Sequence, residues 1–204
     1  MIIVEKLRCK ADWEMVIEGV RNAMNSWDKS DSFIKDDVIL LGENDLRLMK
    51  NLNKAGDEEC KFMRTIPVAV RITAPLYWWK EMDTYKVGTV RMSCSTMHKI
   101  HAKEFELSDF STDKLSEEEL EVLEKTIDRL NELRDSYIET KNKETWYKMI
   151  QLLPSSYMQR ATFFMNYAVL KNVYKQRKNH KLDEWKAFCK AIKELPYSEL
   201  FTGE

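Results

Sequence analysis

The sequence has little glycine or proline: 5 Gly and 4 Pro in 204 residues. That scarcity leaves little room for a turn-rich all-β fold or for long flexible linkers. Its 4 cysteines, Cys9, Cys60, Cys94 and Cys189, form no CxxC pair, so they suit free thiols in a reducing compartment better than a disulfide framework. No run of 18 apolar residues occurs, which leaves no segment to cross a membrane as a helix. Charges at Glu5 and Lys6 interrupt the apolar amino terminus, so we expect no secretory h-region. Excess charge is lacking too: 33 Lys and Arg against 34 Asp and Glu exclude a nucleic-acid coat or an acidic tail. An anionic ligand therefore needs a local cluster of cations. We expect a cytoplasmic protein over residues 1–204 as a single domain, with no membrane or nucleic-acid partner.

Against these absences, periodic segments stand out. Ile2-Ile3-Val4 reads as a short strand. Asp12 is placed as an N-cap before Trp13, Val16, Ile17 and Val20, the spacing of an amphipathic helix. Residues 25–32 are polar and read as a loop. A second helix is expected from about Asn44, with Gly56 ending it in the left-handed conformation. From Thr65 to Thr73 the period changes to two: Ile66, Val68, Val70 and Ile72 alternate with polar or small neighbours, and Pro67 marks a strand start or edge. Pro75 suits the first turn of the helix that follows. Ser116 with Glu119 forms a capping box for a long helix through Tyr137. Another helix runs from Trp146 to Leu153 and stops at Pro154. A further one is expected from Ser155 or Ser156 to about Arg177, and a last one from near Leu182 to Pro196. The class is α/β (an α+β mixture), with long helices in the C-terminal half.

On a continuous helix Asn166 and Arg177, eleven positions apart, lie within about 20° of each other. A carboxamide and a guanidinium at the ends of an apolar stripe suit a ligand with carbonyl or phosphate oxygens. An Asn satisfied by backbone and a solvated Arg fit the same spacing. His98 and His101 provide at most half a zinc site, so no metal is expected. Tyr77-Trp78-Trp79 reads as core before it reads as a stacking platform. The basic run from Lys171 to Lys181 reads as a solvated helix end, or as a face toward phosphates.

Leu153-Pro154, Arg160, Asn166, Leu170, Asn172 and Arg177 resemble the C-terminal segment of the flavin-dependent thymidylate synthases. His180, Trp185 and the stretch Glu194 to Phe201 extend the likeness. Upstream, the strand into Ala74-Pro75 and Ser26-Trp27-Asp28 resemble family segments as well. The resemblance implies a twisted, mostly antiparallel sheet with surrounding helices, and a homotetramer. It implies FAD as cofactor, dUMP as the pyrimidine nucleotide substrate, and methylenetetrahydrofolate and NADPH as co-substrates. It implies that Ser26, Asn166 and Asn172 hold the flavin. Arg177, Lys86, Arg91 and Cys94 would meet the nucleotide, with Arg177 and Lys86 the catalytic candidates.

The family's Arg-His-Arg signature, however, falls on Thr84, Tyr85 and Lys86, and its serine on Cys94. The Asn-Glu pair within it falls on Arg91 and Met92, its final Arg on Thr96, and the Arg before the Leu-Pro on Ile150. Each charged hydrogen bond lost from a phosphate site is worth about 1.5–3 kcal/mol. Two readings follow: a divergent synthase-like enzyme, or a catalytically inactive homologue that keeps the scaffold to bind nucleotide or flavin, or to assemble. Cys94 reads as a nucleophile only if a cation or helix N-terminus activates it; a small buried residue is the commoner role.

Overall fold

A computed structural model of the chain describes residues 1–36 and 38–204. Six strands and eight α-helices alternate along these residues: β1 (Ile3–Cys9), α1 (Trp13–Asn22), β2 (Phe33–Lys35), β3 (Val38–Leu40), α2 (Glu43–Ala55), β4 (Pro67–Pro75), α3 (Leu76–Met82), β5 (Val90–Ser93), α4 (Glu117–Thr140), α5 (Lys143–Leu152), β6 (Met158–Asn166), α6 (Tyr167–Arg177), α7 (Asp183–Ile192) and α8 (Glu199–Thr202). The class is mixed α and β with an antiparallel sheet. The strand order is β1-β4-β6-β5, and β2 and β3 form a separate antiparallel pair in which Ile34 faces Ile39. In β4, Val68, Val70, Ile72 and Ala74 are buried while the residues between them are not, the alternation of a sheet with one covered face.

The chain divides into two compact units, and all four strands of the larger sheet contribute residues to both. One unit comprises Met1–Glu5, Arg71–Thr84 and Arg91–Thr162; the other comprises Lys6–Val70, Tyr85–Val90 and Phe163–Glu204. In the first, α4 begins at the Ser116–Glu119 capping box and buries Leu123, Ile127, Leu130 and Leu133. The amides of Leu76 and Tyr77, which α3 itself leaves without acceptors, donate to Tyr157 O at 3.0 Å and Ser155 O at 3.1 Å. Trp78 and Trp79 are buried, and Trp79 Nε1 donates to Gln159 O at 2.9 Å. In the second unit, Asp12 caps α1 by accepting from Met15 N at 3.2 Å. Trp13, Tyr167, Tyr197 and Phe201 pack edge-to-face there, and the Tyr167 hydroxyl donates to Pro196 O.

Two expectations are corrected. The segment before Arg177 is not one helix from Ser155 or Ser156. Residues Met158–Asn166 form β6, with Gln159, Ala161, Phe163 and Met165 buried in alternation, and α6 begins only at Tyr167. The apolar run Ala161 to Met165 satisfies either period, and pairing with β4 and β5 selects the strand. No helical stripe therefore joins Asn166 to Arg177. Gly56 does follow α2, but with φ 154° and ψ −178°, an extended mirror conformation and not the left-handed helical one.

Candidate functional site

The residues singled out from the sequence fall into two groups. Ser26, Lys86, Asn166, Asn172 and Arg177 belong to the unit built on α1, α2, α6 and α7, whereas Arg91 and Cys94 belong to the other.

In the second group, Arg91 donates to Asp83 Oδ2 at 2.6 Å and to Gln159 Oε1 at 2.8 Å, and stacks 4.5 Å above the Trp79 ring. These contacts hold its guanidinium against its own unit. Cys94 is exposed, not the small buried residue expected. Its backbone is engaged, with N donating to Arg160 O at 2.9 Å and O accepting from Gln159 Nε2 at 2.6 Å.

In the first group the start of α6 organises the geometry. Asn166 is its N-cap, and Oδ1 accepts from Val169 N at 3.0 Å. Gly88 has φ +75°, and a Cβ there would lie 3.2 Å from Asn166 Nδ2 and 3.4 Å from Val169 Cγ2. A glycine is needed for the segment from Tyr85 to Gly88 to run this close to the cap. At the other end of α6, Arg177 Nε donates to Tyr85 Oη at 2.9 Å, and the guanidinium stacks 4.8 Å from the Trp185 ring. Tyr85 is buried, and its ring also lies 5.7 Å from the Arg177 guanidinium. Lys86, beside it, is exposed.

Asn172 and Arg177 do not share a face. Five residues apart at 100° per residue, they are separated by about 140° around α6. Asn172 instead joins Ala168, Lys171 and Lys175 on the side that lines a cavity of about 400 Å³, completed by Asp57, Cys60 and Arg64. Three cations against one carboxylate make this cavity basic, and Ala168 leaves room beside them. Lys171 Nζ lies 3.5 Å from Cys60 Sγ, 3.4 Å from Asn53 O and 3.8 Å from Asp57 Oδ1. Arg64 is shared with a second cavity of about 670 Å³, whose wall is apolar through Val16, Val20, Leu52 and Phe62. Sequence reasoning missed Arg64. It left Lys171 and Lys175 in a charge run, although their i, i+4 spacing about Ala168 and Asn172 marks one helix face.

Ser26 is buried, and its Oγ accepts from Arg21 Nη1 at 3.5 Å. Arg21 is paired with the buried Asp45 at 2.7 Å, and Ser30 and Ser32 also donate to Asp45, at 2.7 and 2.6 Å. Burial pushes the Asp45 carboxyl up, but the Ser32, Ser30 and Arg21 hydrogen bonds and the Arg21 charge outweigh it, so the net direction is down. Ser26 is thus fixed by an ion-pair network that shapes its loop. Among the described residues no three His, Cys, Asp or Glu side chains group as a metal site, and no helix is long and apolar enough to cross a membrane.

No family model matches the sequence, and no curated protein does. Solved structures do match over 100% of the chain. The flavin-dependent thymidylate synthase ThyX from Helicobacter pylori, complexed with FAD and dUMP, superposes with a TM-score of 0.69 at 19% identity over 97% of that chain. A second structure of the Helicobacter pylori enzyme with FAD and dUMP gives 0.68 at 18% over 96%. The UMP/dUMP methylase PolB from Streptomyces cacaoi, bound with 5-Br dUMP, gives 0.65 at 12% over 95%. The chain has the fold of the flavin-dependent thymidylate synthases.

Proposed function

We infer that the protein is a divergent thymidylate synthase-like flavoprotein, with residues 1–204 as one such domain, that binds FAD and methylates dUMP to dTMP. Methylenetetrahydrofolate would donate the methylene group and NADPH the reducing equivalents. The observation that carries this reading is the basic cavity on the Asn172 face of α6, sharing Arg64 with an apolar neighbour. A flavin dinucleotide is a pyrophosphate between ring systems, so a cation-rich cavity joined to an apolar one fits its chemistry. Arg64, Lys171, Lys175 and Asn172 would hold the pyrophosphate, as charge-assisted donors to oxyanions. Ser26 and Asn166 are proposed flavin contacts by resemblance. Their observed partners make them determinants of loop and helix position, whose loss would act on the cofactor through the backbone. Bound flavin supplies hydride and one-carbon transfer chemistry that no side chain here provides.

Arg177, held by Tyr85 and Trp185, and the exposed Lys86 would address the nucleotide, with Arg91 and Cys94 further candidates. A second reading, in which the scaffold binds ligands or assembles without catalysis, draws support from the internal partners of Arg91 and Arg177. It also draws on Thr84 and Tyr85, which stand where the family signature carries cations. The protein is proposed to act as a homotetramer. The test is to add FAD to the purified protein, remove the excess, and record the visible spectrum. Retained oxidised-flavin absorption, with release of tritium from [5-³H]dUMP when folate donor and NADPH are added, supports the synthase. Retained flavin without tritium release selects the second reading. A colourless protein that takes up no FAD overturns the flavin assignment.

A further inference from the structure

A directed chain of hydrogen bonds runs from Arg177 around α6 to Asn172. Arg177 Nε donates to Tyr85 Oη at 2.9 Å, the Tyr85 hydroxyl donates to Gln176 Oε1 at 2.8 Å, and Gln176 Nε2 donates to Asn172 Oδ1 at 2.9 Å. All four residues lie in one compact unit. The polarity of this chain is dictated at its origin. A guanidinium carries only donors, so Tyr85 Oη receives from Arg177 and keeps a single proton to give. That proton needs an acceptor, which turns the Gln176 carbonyl toward Tyr85 and its NH₂ group toward Asn172. Asn172 must then present Oδ1 to Gln176. Its own NH₂ group is the part left for the basic cavity that it lines with Arg64, Lys171 and Lys175.

An asparagine amide is otherwise as ready to accept as to donate. We propose that Tyr85 and Gln176 are positioning residues that fix Asn172 as a donor, so that the cavity selects ligands presenting oxygen acceptors, phosphate or carbonyl, over ligands presenting N–H groups. This selectivity rests on the cavity being a ligand site, as read above for flavin. It also assigns a role to Tyr85, a side chain that the synthase-like reading counts only as a lost cation.

The test is a double-mutant cycle on binding, with FAD and inorganic pyrophosphate as separate probes. Tyr85→Phe keeps the ring and removes the relay's hydroxyl. It is expected to weaken either probe about fivefold, the worth of one neutral hydrogen bond. The same change in an Asn172→Ala background is expected to weaken neither probe further, because the effect passes through Asn172. Gln176→Leu, at an exposed position, repeats the test if Tyr85→Phe does not fold. Losses that simply add in the double variant overturn the relay, even when wild-type protein binds FAD well. Pyrophosphate binding with the non-additive pattern, but no FAD uptake, supports the relay and removes the flavin reading. A wild-type protein that binds neither probe overturns both.

Discussion

Asp45 accepts from Arg21, Ser30 and Ser32 and from the amides of Asp31 and Ser32, while Asp31 accepts from Asn44 N and Asp45 N at the start of α2. One buried carboxylate therefore sets the path of the whole loop after Ser26. Asp45→Asn leaves Arg21 buried without its counter-charge, and breaking a buried pair from one side costs about 3–5 kcal/mol. Urea unfolding at neutral pH is expected to show a loss of that size. The same network fixes a pH response. The Asp45 carboxyl is held below its ordinary value of 3.8 in the folded protein, because the hydrogen bonds and Arg21 outweigh the opposing effect of burial. Its contribution is therefore complete above that value and is lost as pH falls through the lower folded value. Wild type is expected to lose stability in acid more steeply than Asp45→Asn over that window. Parallel acid profiles for the two proteins would contradict this account of the loop.

At the level of elements, α6 depends on a cap from its own sequence and on a close neighbour from far upstream. Asn166 accepts from Val169 N, and Gly88 lies against the Asn166 amide with φ +75°. Asn166→Ala should cost about 1 kcal/mol, the usual worth of a cap. Gly88→Ala should cost at least about 1 kcal/mol from the left-handed backbone alone, and more because its Cβ presses on the cap. Thermal unfolding of the single and double variants checks this, and the two losses should fail to add because the sites touch. This pairing also shows what sequence could reveal. The cap at Asp12, the box at Ser116 and Glu119, and the strand into Ala74-Pro75 were legible because each is local chemistry or a clean period. The strand β6 was not, because an apolar run such as Ala161 to Met165 is assigned by its pairing partners. Short β2 and β3 offered too few residues to show a period. The basic cavity was illegible for a related reason: Arg64 meets Lys171, Asn172 and Lys175 only through the packing of its segment against α6.

For the molecule as a whole, charge is nearly balanced at −1, so no global field draws an anion to it. The attraction must come from the few cations of the basic cavity, three against Asp57, which act over short range. Such attraction is screened by salt, since the Debye length falls from about 10 Å at 0.1 M to about 3 Å at 1 M. If FAD is held there by its pyrophosphate, its affinity should decline steadily as sodium chloride rises. Lys171→Met with Lys175→Met should lower the affinity at low salt and flatten that decline, because the charges being screened have gone. Changing both lysines should leave the fold intact: Lys175 is exposed, and the Lys171 pairing to Asp57, at 3.8 Å to a largely exposed carboxylate, is weak. Fluorescence titration of FAD across a salt series, with circular dichroism to confirm folding, separates the outcomes. A salt slope that is the same in wild type and in the double variant would place the flavin elsewhere on the scaffold. A flattened slope would tie ligand recognition to the Lys171, Asn172 and Lys175 face of α6, and would decide for the phosphate-facing reading of that basic run over the solvated one.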